Sequence, residues 1–127
     1  MIKKPNIKEY CQDEIRDFIL ELVQKEQSNI NETFCRRKEL CEAILAVNKP
    51  TGKREMIKRS ALNIIKVWDC KANQIRKLAD LGFNVIKGKS HYKVYWDDSA
   101  YCTIVGATPS DHRANFRRVA DLNRTFF

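Results

Sequence analysis

The sequence predicts an α+β protein in which three N-terminal helices precede an α-β-β-β-α module with a three-stranded antiparallel sheet. Up to about residue 81 apolar side chains recur at helical spacing, and between 83 and 105 the pattern changes to the shorter period typical of strands. A helical pattern then returns near residue 110. We therefore predict a helical module over 1–69 and a mixed module over 70–127, with a soft boundary that allows one shared core.

Three helices are predicted in the first module, over residues 7–27, 33–47 and 53–69. The first has apolar side chains on one face, at positions 7, 11, 15, 18, 19, 22 and 23. The inner stripe of the second is Phe34, Leu40, Cys41, Ile44 and Leu45. The segment "NKPTGK" breaks the pattern before the third helix, whose stripe is Ile57, Ala61, Ile64, Ile65 and Trp68.

The second module begins with a predicted helix over 71–81, which ends at Gly82, a position where a left-handed residue is usual. Three strands follow, in "FNVIK", "HYKVYW" and "YCTIV". The turn residues "DDSA" predict a hairpin between the last two strands. A final helix is predicted over 110–124, with Ser110 or Asp111 as its N-cap.

Charge is the most informative feature of the composition. The formal net charge is +8, but residues 1–30 carry −1 and residues 31–127 carry +9. A localised excess of this kind predicts a polyanionic partner, most often a nucleic acid. No apolar run approaches the roughly 18 residues of a membrane helix, and no apolar segment of a signal peptide follows the first lysines. We expect a cytoplasmic protein with no membrane partner.

Cofactor and metal signatures are missing from the sequence. The five cysteines form no CxxC pair, and neither histidine has a cysteine at zinc-finger spacing. No glycine-rich nucleotide loop of the GxGxxG or GxxxxGK[ST] type occurs. We expect free thiols in a reducing compartment, no metal and no cofactor.

The strand "HYKVYW" assigns its side chains to two faces, because alternate residues of a strand share a face. The core face takes Tyr92, Val94 and Trp96. The solvent face takes His91, Lys93 and Tyr95, preceded by Lys87 and Lys89. This face predicts either contact with a nucleic acid or metal-free cleavage of RNA.

In the cleavage hypothesis a neutral His91 removes the 2′-hydroxyl proton, and Lys93 offsets the charge on the attacked phosphate. The acid that protonates the leaving oxygen stays open between His112 and Tyr95. A cysteine nucleophile would need Cys102 to lie across the hairpin from His91.

Two arginine-rich groups extend the predicted contact surface. On the last helix Arg113, Arg117 and Arg124 fall within about 40° of one another, and Arg118 projects elsewhere. Such a stripe can bind phosphates bidentately, and a polyanion would lie across the sheet face and this arginine edge. The neighbouring apolar sector, expected to face the sheet, is Phe116, Val119, Ala120 and Phe126. A second basic cluster lies further towards the N-terminus and comprises Arg36, Arg37, Lys38, Lys53, Arg54, Lys58 and Arg59.

Residues 71–124 resemble the fold shared by double-stranded RNA-binding domains and HicA-type mRNA interferases. The local match is "IRKLADLGFNVIKGKSHYKVYW", where a helix ends in Gly-Phe and a strand leads into a Gly-x-Ser-His-like turn. The interferase resemblance implies that His91, after Ser90, is catalytic. The RNA-binding resemblance implies phosphate contacts from the start of the last helix, at Arg113, Arg117 and Arg118. Lys89 and Tyr92 depart from the interferase pattern.

Three functional hypotheses follow from the sequence. The leading one is a non-enzymatic protein that binds structured RNA, or a nucleic acid held in a protein complex, through its C-terminal module, with RNA favoured over DNA. The second is a metal-independent RNA endonuclease of the HicA type, and the third is a phage or mobile-element inhibitor of a host nucleoprotein nuclease. The N-terminal helices are a possible docking module for a partner protein or a helix-turn-helix variant.

Overall fold

The computed structural model describes residues 2–107 and 112–127, excluding the side chains of His112 and Arg113. The helices within these residues are α1 (Glu14–Asn29), α2 (Arg36–Val47), α3 (Lys53–Lys66), α4 (Ala72–Asp80) and α5 (His112–Phe126). The strands are β1 (Phe83–Lys87), β2 (His91–Trp96) and β3 (Thr103–Gly106). This order confirms the predicted α+β class. The expected N-caps Ser110 and Asp111 lie outside the described residues.

The sheet has the order β1-β2-β3, and both pairings are antiparallel. Phe83 pairs with Trp96 at one end of the first ladder, and His91 pairs with Gly106 at one end of the second. The hairpin predicted between β2 and β3 is confirmed, although β3 begins at Thr103. Because β2 is the central strand, its side chains supply the middle of both faces.

One face of the sheet forms the core of the mixed module. Trp96 is buried and stacks on Phe83 at a centroid distance of 5.7 Å. Leu78 of α4 and Leu122 of α5 are fully buried. The helices therefore cover this inner face, and the other face of the sheet is left to solvent.

Gly82 sets the direction of the chain between α4 and β1. Its φ of +97° lies in the left-handed region, as predicted for the residue after this helix. Its N–H donates to the carbonyl of Ala79 at 3.0 Å, and its own carbonyl accepts from the N–H of Asp97 at 2.8 Å. The turn is thus tied both to the helix and to the end of β2.

The chain divides into two compact units, Met1–Arg54 and Glu55–Phe127, whereas the sequence predicted a boundary between 69 and 70. Most of α3 belongs with the sheet because Trp68, two residues beyond its end, is anchored there. The indole Nε1 of Trp68 donates to the Gly106 carbonyl at 3.0 Å, and the ring meets Tyr92 edge to face at 5.8 Å. A helix whose end is buried in this core cannot belong to a separate module.

Helix α1 begins later than predicted, at Glu14. Asp13 has a left-handed φ of 59°, so the chain is not helical there. The carboxylate of Glu9 accepts the N–H of Ile15 at 3.0 Å, which satisfies a donor in the first turn of the helix. Residues that the apolar spacing assigned to the helix therefore form its cap.

The inner stripes predicted for α1 and α2 are largely wrong. Phe18, Ile19 and Leu22 are 44–50% exposed, and Phe34 is 95% exposed. The buried positions of α1 are instead Leu20 and Asp17, and that of α2 is Cys41 alone. The face that α1 turns inward therefore carries a carboxylate, which helical periodicity does not predict.

Asp17 is buried because Thr51 satisfies it. Its two carboxylate oxygens accept the Thr51 N–H at 2.9 Å and the Thr51 hydroxyl at 2.7 Å. Burial alone would raise the pKa of this carboxyl, but the hydrogen bonds from Thr51 and from the backbone of Gly52 hold the pKa below its ordinary value. The ionised carboxylate thus joins α1 to the segment before α3.

The sheet-facing sector of α5 also differs from the prediction. Phe116 is 63% exposed and Ala120 is exposed, while Leu122 and Phe126 are buried. The buried sector also includes Asn115, whose amide donates to the carbonyl of Trp68 at 3.4 Å. The buried face of α5 is thus formed by Asn115, Leu122 and Phe126, and it includes a polar side chain that apolar spacing does not select.

We predict that Asp17→Asn lowers the free energy of unfolding by about 2 kcal/mol at pH 7, because it weakens hydrogen bonds to a buried charge. The folded pKa is lowered, so this stability is present above the ordinary value of 3.8 and is lost as the pH falls through the folded pKa. Urea denaturation followed by circular dichroism should show the difference from wild type shrinking as the pH is lowered below 3.8. Glu32→Gln, at an exposed carboxylate, is the matched control. A difference that stays constant with pH would contradict the assignment.

Candidate nucleic-acid interface

The two-face assignment of β2 is confirmed by the burial of its side chains. Tyr92, Val94 and Trp96 are buried. His91 and Lys93 are exposed and Tyr95 is half-buried. An imidazole, an ammonium and a phenol therefore line the middle of the solvent face of the sheet.

Two isoleucines complete this face, and sequence reasoning missed them. Lys93 pairs with Ile86 of β1 on one side and with Ile104 of β3 on the other. These isoleucines are 56% and 51% exposed. The alternation of "FNVIK" and "TIV" places both on the same side as Lys93, so the ladder register was the missing information.

The turn between β1 and β2 holds two further lysines in place. Lys87 and Lys89 are exposed, and the N–H of Gly88 between them donates to the His91 carbonyl at 2.7 Å. A Cβ on Gly88 would lie 3.1 Å from that same oxygen, so a side chain would strain the turn. The Ser90 hydroxyl lies 2.9 Å from Nδ1 of His91. We call the set formed by this turn and the outer side of β2 the hairpin face; its members are Lys89, His91, Lys93 and Tyr95, together with Lys87, which ends β1 opposite Tyr92.

The lysines of the hairpin face have no ion pair with a carboxylate within residues 2–107 and 114–127. Asp97 and Asp98 directly follow β2, at the end of the strand that lies away from the turn with the lysines. The positive charge at the turn is therefore not neutralised locally, and it is available to an anion.

The arginines of α5 differ from one another in their contacts. Arg124 pairs with Asp121 at 2.6 Å, and Arg118 donates to the side-chain oxygen of Asn115 at 3.0 Å. Arg117 is exposed. The side chain of Arg113 lies outside the described residues.

Arg117 and Arg124 point away from the sheet. At 100° per residue, they lie about 160° and 180° around α5 from the buried Asn115. The hairpin face is on the opposite surface of the sheet, so the two groups face in opposite directions. The expectation that one polyanion lies across both groups is therefore wrong for Arg117 and Arg124.

The predicted front cluster is mostly paired. Arg54 is only 4% exposed, pairs with Glu21 and lies 5.3 Å above the ring of Phe18, so it is excluded as a nucleic-acid contact. Lys53 donates to the Gln12 side chain. The remaining contacts of the cluster are Arg36 with Glu39, Arg37 with Glu26 at 3.1 Å, and Arg59 with Glu55 at 3.6 Å. Lys38 and Lys58 are half-buried. Sequence position alone did not indicate which of these charges are neutralised.

The register of the second ladder removes one of the residues that were predicted to act with His91 in catalysis. Gly106, and not Cys102, lies across the hairpin from it. Tyr95 is four residues further along β2 on the same face, so its Cα lies about 13 Å from that of His91. The side chain of His112 lies outside the described residues.

The five cysteines are free thiols, of which Cys41 is buried and the other four are half-buried. Burial, with the nearby Glu14 carboxylate, raises the pKa of the Cys11 thiol to about 11. This thiol stays protonated at neutral pH, so it is a poor nucleophile.

The N-terminal unit exposes apolar side chains on both of its helices. Ile19 and Leu22 of α1 are about half exposed, as are Leu40 and Ile44 of α2, and Val47 is 82% exposed. The docking role predicted for these helices stays a prediction. Among the helices of the described residues, none has the length and apolar character to cross a membrane.

Comparisons of the chain with protein-family models, with curated proteins and with solved structures find no match.

We predict that Gly88→Ala destabilises the hairpin by about 1 kcal/mol, because the new methyl group meets a backbone oxygen that is itself held in a strand. Thermal denaturation measures the loss, and amide chemical shifts should change most at residues 88–91. Lys89→Ala, at the next exposed position, should leave the melting temperature unchanged. An unaltered melting temperature for Gly88→Ala would contradict the tight turn.

Proposed function

We propose that the protein binds RNA through the hairpin face, without being an enzyme. The observation that carries this proposal is the set of three lysines, Lys87, Lys89 and Lys93, which have no carboxylate partner in the described part of the chain. Lys93 lies between an exposed imidazole and a half-buried phenol on β2. Unneutralised ammonium groups attract phosphates, and the rings can contact bases or riboses.

Charge distribution within the chain supports the same surface. Residues 55–127 carry 13 Lys or Arg and seven Asp or Glu, a net charge of +6, against +2 for residues 1–54. The resemblance of residues 71–124 to RNA-binding folds also supports RNA over DNA. Five free thiols support the reducing cytoplasm as the place where the protein acts.

Salt dependence tests the proposal directly. For a single-stranded ligand, each lost phosphate contact should reduce the slope of log affinity against log salt by about 0.7. Lys93→Ala and the double variant Lys87→Ala/Lys89→Ala should each lower affinity for RNA and flatten this slope, as measured by fluorescence anisotropy.

Two controls locate the surface. Lys71→Ala removes a lysine that already pairs with Asp69 at 3.2 Å, so affinity should not change. Arg117→Ala removes a cation on the opposite side of the module and should also be neutral. Equal losses for Arg117→Ala and Lys93→Ala would place the contact elsewhere, and slopes that no lysine variant changes would refute the proposal.

The second candidate is a metal-independent RNA endonuclease, which the contact between Ser90 and His91 favours. The serine hydroxyl lies 2.9 Å from Nδ1, which orients the ring, while the side chain as a whole is exposed. An oriented and accessible imidazole can remove the proton of a 2′-hydroxyl, and Lys93 lies two residues away on the same face.

Cleavage in the absence of metal distinguishes the two candidates. The binding proposal predicts that purified protein leaves a labelled RNA intact in EDTA and that His91→Gln weakens binding only a few-fold. The endonuclease candidate predicts cleavage that His91→Gln abolishes while the circular dichroism spectrum is unchanged. Metal-free cleavage that survives His91→Gln would contradict both roles for His91 and would point to a contaminating nuclease.

A further inference from the structure

We infer that the ligand of the hairpin face is single-stranded RNA and not an RNA duplex, an inference that rests on the proposed function. The evidence is the row Ile86–Lys93–Ile104, which crosses all three strands at the middle of the solvent face. Neighbouring strands lie about 4.8 Å apart, so this row forms an apolar surface about 10 Å wide with one ammonium at its centre.

A duplex fits this surface poorly. The outside of an A-form helix presents phosphates and 2′-hydroxyls, and its base faces are stacked inside. Lying on the row, it would cover two isoleucines that are more than half exposed with charged and hydroxyl oxygens. Those oxygens would lose water without gaining a hydrogen bond, which opposes binding.

An unstacked strand fits the same surface well. Its bases are flat and largely apolar, so they can pack on the isoleucines while a phosphate reaches Lys93. His91 and Tyr95 lie on either side of Lys93 along β2, two residues away in each direction. The resulting order of ring, ammonium and ring, about 13 Å long, gives room for about two bases with a phosphate between them.

The positions of the other cations also favour a single RNA strand over a duplex. A rigid duplex would gain from a broad basic surface, but Arg117 and Arg124 face away from the hairpin face and Arg124 is paired with Asp121. Lys89 instead continues the line of β2 beyond His91, in the turn, and Lys87 lies beside it at the end of β1. A flexible backbone can follow this line from Lys93 to the turn.

The experiment measures anisotropy of the full chain with two labelled probes, an unstructured 12-nucleotide RNA and the same RNA annealed to its complement. We expect the single strand to bind about tenfold more tightly. Tighter or equal binding of the duplex, with a salt slope that depends on Lys93, would overturn this inference and leave the proposed function standing. Binding of neither RNA would overturn both.

A pair of uncharged variants tests the apolar row separately. Ile104→Asn should weaken binding of the single strand about fivefold without changing the salt slope, because it removes base packing and no charge. Val67→Asn is the matched control, since Val67 is 65% exposed and lies outside the sheet. Unchanged affinity for Ile104→Asn, with a native circular dichroism spectrum, would overturn the role of the row.

Discussion

The alternation of buried and exposed side chains along β2 is the constraint on which the unit Glu55–Phe127 depends. One six-residue strand buries Tyr92, Val94 and Trp96 on one side and presents His91, Lys93 and Tyr95 on the other. A shift of one residue in its pairing would exchange the two sets, placing a lysine in the core and an indole in water. Turns at both ends oppose this shift, since Gly88 is bonded to the His91 carbonyl and Gly82 to the Asp97 N–H. The register of β2 therefore determines both which side chains enter the core and which side chains form the candidate site.

Trp68 explains why this unit is larger than the sheet and its two helices. Its indole binds the carbonyl of Gly106, its ring meets Tyr92, and its own carbonyl accepts from Asn115. Just after it, Gln74 holds the connection to α4, because its side chain accepts from the Asp69 N–H and donates to the Val67 carbonyl at 2.8 Å in each case. These hydrogen bonds satisfy several polar groups beyond the end of α3. They stabilise a helix that apolar periodicity had assigned to the other module.

Elements that are set by local interactions were predictable from the sequence, and helix faces that depend on distant contacts were not. The strands, the hairpin and the left-handed Gly82 were predictable because turn chemistry and two-residue alternation are local. The inward face of α1 was not, because Asp17 is buried through hydrogen bonds from Thr51, 34 residues away in the sequence, and from Gly52. The buried face of α5 likewise carries Asn115, whose amide donates to the Trp68 carbonyl, and Phe116 is exposed. Both helices therefore bury a polar side chain whose partner is distant in the sequence, and apolar spacing carries no record of such partners.

The same reasoning decides which basic residues form a binding surface. Net charge attracts a polyanion, but a phosphate competes poorly for a guanidinium that already has a carboxylate partner, and arginine's fork makes such partners easy to acquire. Arg54 and Arg124 are paired with acids on their own or neighbouring helices. The lysines of the hairpin face lie on a turn and a strand whose immediate neighbours are uncharged, so their charge stays available. The lysines of the sheet surface are therefore available to a phosphate and lie beside the rings of His91 and Tyr95, whereas Arg54 and Arg124 are already neutralised.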